Sequence, residues 1–371
     1  MIVARRFVQR HHGRIGPSLS ANFYNCSPSS TFFSSSSLPK SDRDDEKTKA
    51  EQNTTSITAT NKAAVDATAT SLGQVIFLNS SKSGLGILAS LAIGDPTLAA
   101  YAGLGAYTAT ITAKSIGLNQ RSCQDGLFGY NGALIGCATS VFGPSFLPVG
   151  VAYTMLGASA TSALCASLNK VLSQPQWTWS FNIVALTSLL RWKPLEQPAV
   201  EAITTADAAA TSLSNSAGVM DFVTSPLIGI SQIFVVNSAL TGVGIIGSIG
   251  MYSPKLGVHA LGGSTLGCLV GLLFGADPSD VINGLWGYNS ALASMAVGTF
   301  FVHSREAVAL SAGSAAASAA LFGALQPVFG GLGAPCLTLP FCAVTSACYL
   351  LEGQVTGLKL AKEPHSPEKN A

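Results

Sequence analysis

The sequence predicts an all-α membrane protein built as an inverted two-fold repeat, and three observations carry that prediction. Charged residues make up 10% of the chain and hydrophobic residues 48%, where ordinary soluble domains carry about 25% charged. One phrase is spelled twice: Gly126-Leu-Phe-Gly-Tyr-Asn-Gly-Ala-Leu-Ile-Gly136 and Gly284-Leu-Trp-Gly-Tyr-Asn-Ser-Ala-Leu-Ala-Ser294 agree at seven of eleven positions, 158 residues apart. Short apolar segments interrupted by Gly and Pro recur at matching places in the two halves, the pattern of half-helices meeting at a membrane midplane.

The offset of 158 holds beyond that phrase. Gln74 to Gly84 aligns without a gap on Gln232 to Gly242, and Pro96 on Pro254. Pro175-Gln-Trp-Thr-Trp-Ser-Phe181 then matches Pro335-Cys-Leu-Thr-Leu-Pro-Phe341 after a slip of two residues. A period this long excludes a solenoid, whose repeats run to roughly 20–50 residues. Ser71 to Arg191 holds seven Asp, Glu, Lys and Arg, and Phe222 to Leu351 only five. So few charges cannot build a soluble surface.

The elements follow in order. Residues 1–61 form a leader: its first forty residues carry Arg5, Arg6, Arg10 and Arg14, many serines and no acid. That composition fits an organelle transit peptide, with a disordered cytoplasmic leader as the equal alternative. The first membrane repeat occupies 62–191, with apolar segments near 84–94, 97–117, 126–145, 148–172 and 178–190. Residues 192–221 form a polar connector, 222–351 the second repeat, and 352–371 a polar tail. Five crossings per copy, an odd number, make the copies face opposite ways across the bilayer.

Net charge is +2, and no basic patch invites nucleic acid. The eight cysteines are scattered through apolar runs without a Cys-x-x-Cys pair, which reads as buried packing rather than metal or disulfide chemistry. His259 and His303 are too isolated for a metal site, and no cofactor is expected. No catalytic constellation appears, so a membrane-bound enzyme has the least support. The acids of the repeats, Asp95, Asp125, Asp277, Asp280 and Glu306, sit at segment ends. A coupled transporter carries ionisable groups in mid-membrane. Their absence predicts a passive path for a neutral solute.

Such a solute loses on the order of 1–3 kcal/mol for each hydrogen-bonding group left unsatisfied on dehydration, so the path must offer fixed oxygens. Gln74, Gln232, Thr178 and Thr338 are placed symmetrically to supply them. Tyr130, Tyr288 and Phe77 supply flat walls for a thin planar molecule. At the Gly-aromatic-Asn and Pro-x-x-Thr boxes, close helix packing and turn capping remain alternatives for each copy taken alone.

These residues resemble the urea transporter family. Its signature of Gln-[Val/Ile], then Asn-Pro-x-[Ser/Thr]-Gly, then Gly-aromatic-Asn-[Gly/Ser]-x-Leu, then Thr-x-Pro-Phe, is recovered twice in order over about 280 residues of this chain. The resemblance implies ten spanning helices plus two re-entrant half-helices around a central pore, assembled as a homotrimer in the lipid bilayer, with urea as permeant. It implies that Tyr130 with Leu134, and Tyr288 with Leu292, wall two slots. Gln74 and Gln232 join an oxygen ladder beside Val75, Phe77, Ile233 and Val235, with Thr178 and Thr338 in the middle. It also implies the plasma membrane, while the leader points to a mitochondrial or plastid inner membrane.

The chain departs from the family at three places. Ser80-Ser81 and Ser238-Ala239 stand where the family has Asn-Pro, Ser180 replaces the proline of the first Thr-x-Pro-Phe box, and tyrosine stands twice where phenylalanine is commonest. The two hydroxyls are expected to make the slots slightly more polar or wider, open to other small amides or water. The lost prolines leave a non-conducting scaffold or sensor as the alternative.

Overall fold

The computed structural model describes residues 62–191 and 218–370. The leader, with its transit-peptide reading, and most of the connector lie outside the described residues. Among the described residues every regular element is a helix. The first unit comprises α1 (62–74), α2 (Ser81–Gly94), α3 (Pro96–Ser115), α4 (Gln120–Gln124), α5 (Tyr130–Phe142), α6 (Leu147–Val171) and α7 (Trp179–Arg191). The second comprises α8 (Val219–Gln232), α9 (Ala239–Tyr252), α10 (Pro254–Leu273), α11 (Pro278–Ile282), α12 (Tyr288–Phe300), α13 (Arg305–Gly331) and α14 (Leu339–Tyr349). The second unit starts with Val219, inside the span read as connector.

Local chemistry sets the boundaries. Asp95 ends α2, its N–H bonded to the Leu91 carbonyl at 2.7 Å, and starts α3, its carboxylate accepting the Leu98 N–H at 2.9 Å. Pro96 follows at a position where a missing N–H costs nothing. Ser253 and Pro254 repeat the device between α9 and α10, the Ser253 hydroxyl accepting the Leu256 N–H at 3.0 Å. Ser80 and Ser238 cap α2 and α9 in the same way, each accepting a backbone N–H three residues on at 3.2 Å. Serine is as good a cap as asparagine, so both helices begin where they should without the Asn-Pro pair.

The molecule is apolar outside, and its polar side chains are buried among an apolar core. Three helices, α6, α10 and α13, have 25, 20 and 27 residues and the hydropathy to cross a membrane, a crossing needing about 20. Leu156, Val258 and Leu273 on them are 73%, 71% and 82% exposed. Asn131, Asn182, Ser264 and Ser318 are fully buried instead. Helices approach closely at glycine: a Cβ on Gly105 of α3 would collide with the Gly132 carbonyl of α5, and one on Gly132 with the Gly105 carbonyl. The seven cysteines among the described residues are buried; Cys26 lies outside them.

The two units lock together reciprocally where α2 meets α9. Gly86 faces Ser248 while Gly244 faces Ser90, and since these are the same two positions of each copy, the contact has two-fold character. Among the described residues four non-glycine residues hold a positive φ, again in matched pairs: Phe77 at 67° with Val235 at 61°, and Trp177 at 48° with Leu337 at 49°. A β-branched or bulky side chain there costs of order 1–3 kcal/mol each and persists only where the surroundings demand it.

The tail is not loose. Residues 359–361 lie along the end of α12, Val302 N–H donating to the Lys359 carbonyl and Ala361 N–H to the Phe300 carbonyl, both at 2.8 Å, with an isolated bridge between Phe301 and Leu360. Farther on, His365 stacks on Tyr252 at 5.1 Å and bonds its hydroxyl at 2.9 Å. Glu368 accepts the Lys255 N–H at 2.7 Å and the Ser253 hydroxyl at 2.5 Å, capping α10. Burial and Lys369 hold the His365 imidazole below its usual value. Burial raises the Glu368 carboxyl, but its hydrogen bonds from Ser253 and Lys255 outweigh that and leave it lowered.

Both shifts give docking that is complete above the groups' ordinary values. It is lost first as pH falls below 6.5 through the depressed value of His365, and further below 4.5 through that of Glu368. Amide hydrogen exchange at Val302 and Ala361 is therefore expected to speed up on acidification beyond the intrinsic pH dependence. His365→Phe, which keeps the stack, should remove the upper step.

Candidate functional site

Each copy holds its glutamine by the same bond. Gln74 Nε2 donates to the Asp125 carbonyl at 2.7 Å, and Gln232 Nε2 to the Asn283 carbonyl at 3.0 Å. Asn79 and Asn237 brace the same two partners through their side chains, at 3.3 and 2.9 Å. One N–H of each amide is thus held by the protein, which fixes the side chain and leaves Oε1 as the acceptor that each glutamine offers. Val75 and Ile233, the next residues, are buried at 3% and 2%. Phe77 packs its ring against Phe300 and Phe341 of the other copy, at 5.9 and 6.2 Å. Its counterpart Val235 is partly buried.

Leu134 and Leu292 are buried in the same core, one turn along α5 and α12 from Tyr130 and Tyr288. The tyrosine hydroxyls do not face open space. Tyr130 donates to the Trp177 carbonyl and Tyr288 to the Leu337 carbonyl at 2.7 Å. Both acceptors belong to positive-φ residues, so the hydroxyl satisfies a carbonyl that the strained turn turns away from its helix. Each tyrosine hydroxyl is thus spent on a backbone carbonyl.

Thr178 and Thr338 meet directly, their hydroxyl oxygens 2.7 Å apart, and both are buried. Asn182 and Cys342, matched at the same 160-residue offset, complete the cluster. Asn182 Nδ2 donates to Thr338 Oγ1 at 2.9 Å and to the Thr178 carbonyl at 3.0 Å, and Asn182 Oδ1 accepts the Thr338 N–H at 3.2 Å. Cys342 Sγ lies 3.0 Å from Thr178 Oγ1. The glutamines, by contrast, are anchored to Asp125 and Asn283 and share no hydrogen bond with this cluster. Sequence reasoning missed Asn182; a buried amide sharing the threonines' offset was the signal available.

Residues 65–353 match the profile of the family described as urea transporter. The chain belongs to the urea transporter family. It is 30% identical over 294 residues to urea transporter 1 of Capra hircus, covering 76% of this chain and 75% of that protein. The same protein from Ovis aries matches at the same identity and coverage. Urea transporter 1 of Rattus norvegicus is 29% identical over 324 residues, 80% of each chain. Membership places the chain among transporters rather than enzymes.

One departure from the family's Thr-x-Pro-Phe box has a local remedy. Pro340 has no N–H to satisfy, but Ser180 at the matching place does. Gln176, standing where the second copy has Cys336, takes that N–H on Oε1 at 3.2 Å and bonds the Tyr130 hydroxyl through Nε2. Gln176→Leu is expected to destabilise the protein by about 1–3 kcal/mol, the cost of a buried polar group left unpaired. Adding Ser180→Pro, which removes the orphaned donor, should recover part of the loss. Thermal unfolding of the four proteins of this cycle in detergent measures the coupling.

Proposed function

We propose that this urea transporter chain carries urea across a membrane by channel-like facilitated diffusion, passive and without ion coupling. The observation that carries the proposal is the match of residues 65–353 to the urea transporter family, with Thr178 and Thr338, one from each copy, in buried contact. In this reading the bundle is an inverted repeat of ten spanning helices and two re-entrant half-helices, α1 and α8 ending at the glutamines, and three subunits assemble in the bilayer. Val75, Phe77, Tyr130, Leu134 and their counterparts Ile233, Val235, Tyr288 and Leu292 wall two slots. The glutamine and threonine oxygens replace water around the solute. The printed names of the goat, sheep and rat relatives support urea as the permeant.

Purified protein in liposomes tests this. Urea uptake down its gradient should depend on the protein, saturate weakly if at all, and stay unchanged when proton and sodium gradients are collapsed. Flux that needs either gradient would sink the passive reading. The direct Thr178–Thr338 bond favours a second reading, a non-conducting scaffold or sensor with the same fold, which predicts no protein-dependent uptake of urea, small amides or water.

A further inference from the structure

We infer that Asn182 fixes the polarity of the central threonine pair, making it an acceptor-only constriction that favours permeants rich in N–H donors. The inference rests on the reading that Thr178 and Thr338 border the path. Asn182 is fully buried, one turn after Thr178 on α7. Its Oδ1 takes the N–H of Thr338 at 3.2 Å. A backbone nitrogen can only donate, so the atom facing it is the oxygen, and the orientation of the amide is settled. Both Nδ2 hydrogens are then committed, one to the Thr178 carbonyl at 3.0 Å and one to Thr338 Oγ1 at 2.9 Å.

The remaining hydrogens follow from this. Thr338 Oγ1 receives a hydrogen from Asn182 and passes its own to Thr178 Oγ1, 2.7 Å away. Thr178 passes its own to Cys342 Sγ, 3.0 Å away. The opposite direction would leave the Thr338 hydrogen without an acceptor and ask a thiol, a weak donor, to supply the chain. In the favoured direction no hydroxyl hydrogen is free, while each threonine oxygen keeps one uncommitted lone pair. A hydroxyl left alone adapts to either partner; this pair does not. Two asparagines or two cysteines at the symmetric positions would set no direction, and the unlike pair does. Asn182 is thus a positioning residue, acting through Thr338.

A planar amide with two NH2 groups meets such a constriction with a donor whichever edge leads, whereas acetamide, nearly the same size, has a methyl in place of one of them. The test is the ratio of urea to acetamide permeability in proteoliposomes. Asn182→Leu is expected to lower that ratio about fivefold or more, the low end of the cost of an unmet hydrogen bond. The swap Asn182→Cys/Cys342→Asn should restore it, because symmetry rebuilds the chain from the other side. Asn182→Cys serves in place of the leucine variant if that protein does not fold. A purely structural role would change folded yield or absolute flux and leave the ratio alone. An unchanged ratio in a folded, conducting variant overturns the inference while leaving urea transport intact; no urea flux in the unaltered protein overturns the underlying reading instead.

Discussion

Thr178→Val/Thr338→Val is expected to cut urea permeability by one to several orders of magnitude while leaving the protein folded. Valine matches threonine in shape, so packing at this buried point survives, but two oxygens disappear from the centre of the proposed path. Each unmet hydrogen bond costs the solute roughly 1–3 kcal/mol, a factor of about 5 to 150 in rate if it falls at the top of the barrier. Either single variant should show the smaller loss. The change also leaves one Asn182 N–H without its acceptor, so unfolding temperature should fall modestly, and flux must be normalised to folded protein. Stopped-flow urea efflux from liposomes decides the matter. Undiminished flux would mean that the path avoids the threonines.

Gly105→Leu is expected to abolish folding rather than conduction. A side chain at Gly105 would strike the Gly132 carbonyl, and the next contact along the same pair of helices is as close, a Cβ on Gly136 meeting the Tyr101 carbonyl. Ordinary overpacking costs about 1–3 kcal/mol because side chains rotate out of the way. Here the obstacle is backbone, so α3 and α5 must separate along their length. Gly103 is the control, with nothing within 4 Å of its would-be Cβ: Gly103→Leu should leave yield and flux near those of the unaltered protein. Monodisperse yield after detergent extraction separates the two outcomes.

Much of this architecture was legible in the sequence because it repeats. The 158-residue offset pairs Gln74 with Gln232 and Tyr130 with Tyr288, and the structure gives the members of each pair backbone carbonyls at matching positions. Segment ends were legible through Asp95-Pro96 and its copy, where chemistry is local. The positive-φ residues were not. Turn signals rely on glycine, and the chain uses Phe77, Trp177, Val235 and Leu337 instead, held by contacts from far along the chain. The partners of the tyrosine hydroxyls were not legible for a related reason: they lie 47 and 49 residues away, beyond any periodicity. The Gln176 and Ser180 exchange looked like a lost proline because each half of it was seen alone. Composition likewise gave the tail only as polar, since its docking depends on Tyr252 and Ser253, more than a hundred residues earlier.

The folded tail has a consequence for direction. It docks on the second copy, gripping the α9–α10 corner and the end of α12, and Gly94 stands where Tyr252 would be in the first. The two copies are therefore unlike at this corner, and so are the two ends of the proposed passage. Detailed balance forbids an uncoupled passage from favouring one direction at equal concentrations, however different its ends. Lopsidedness of this kind cannot act as a valve. It can only give one compartment, and not the other, a handle on a rate that both compartments share.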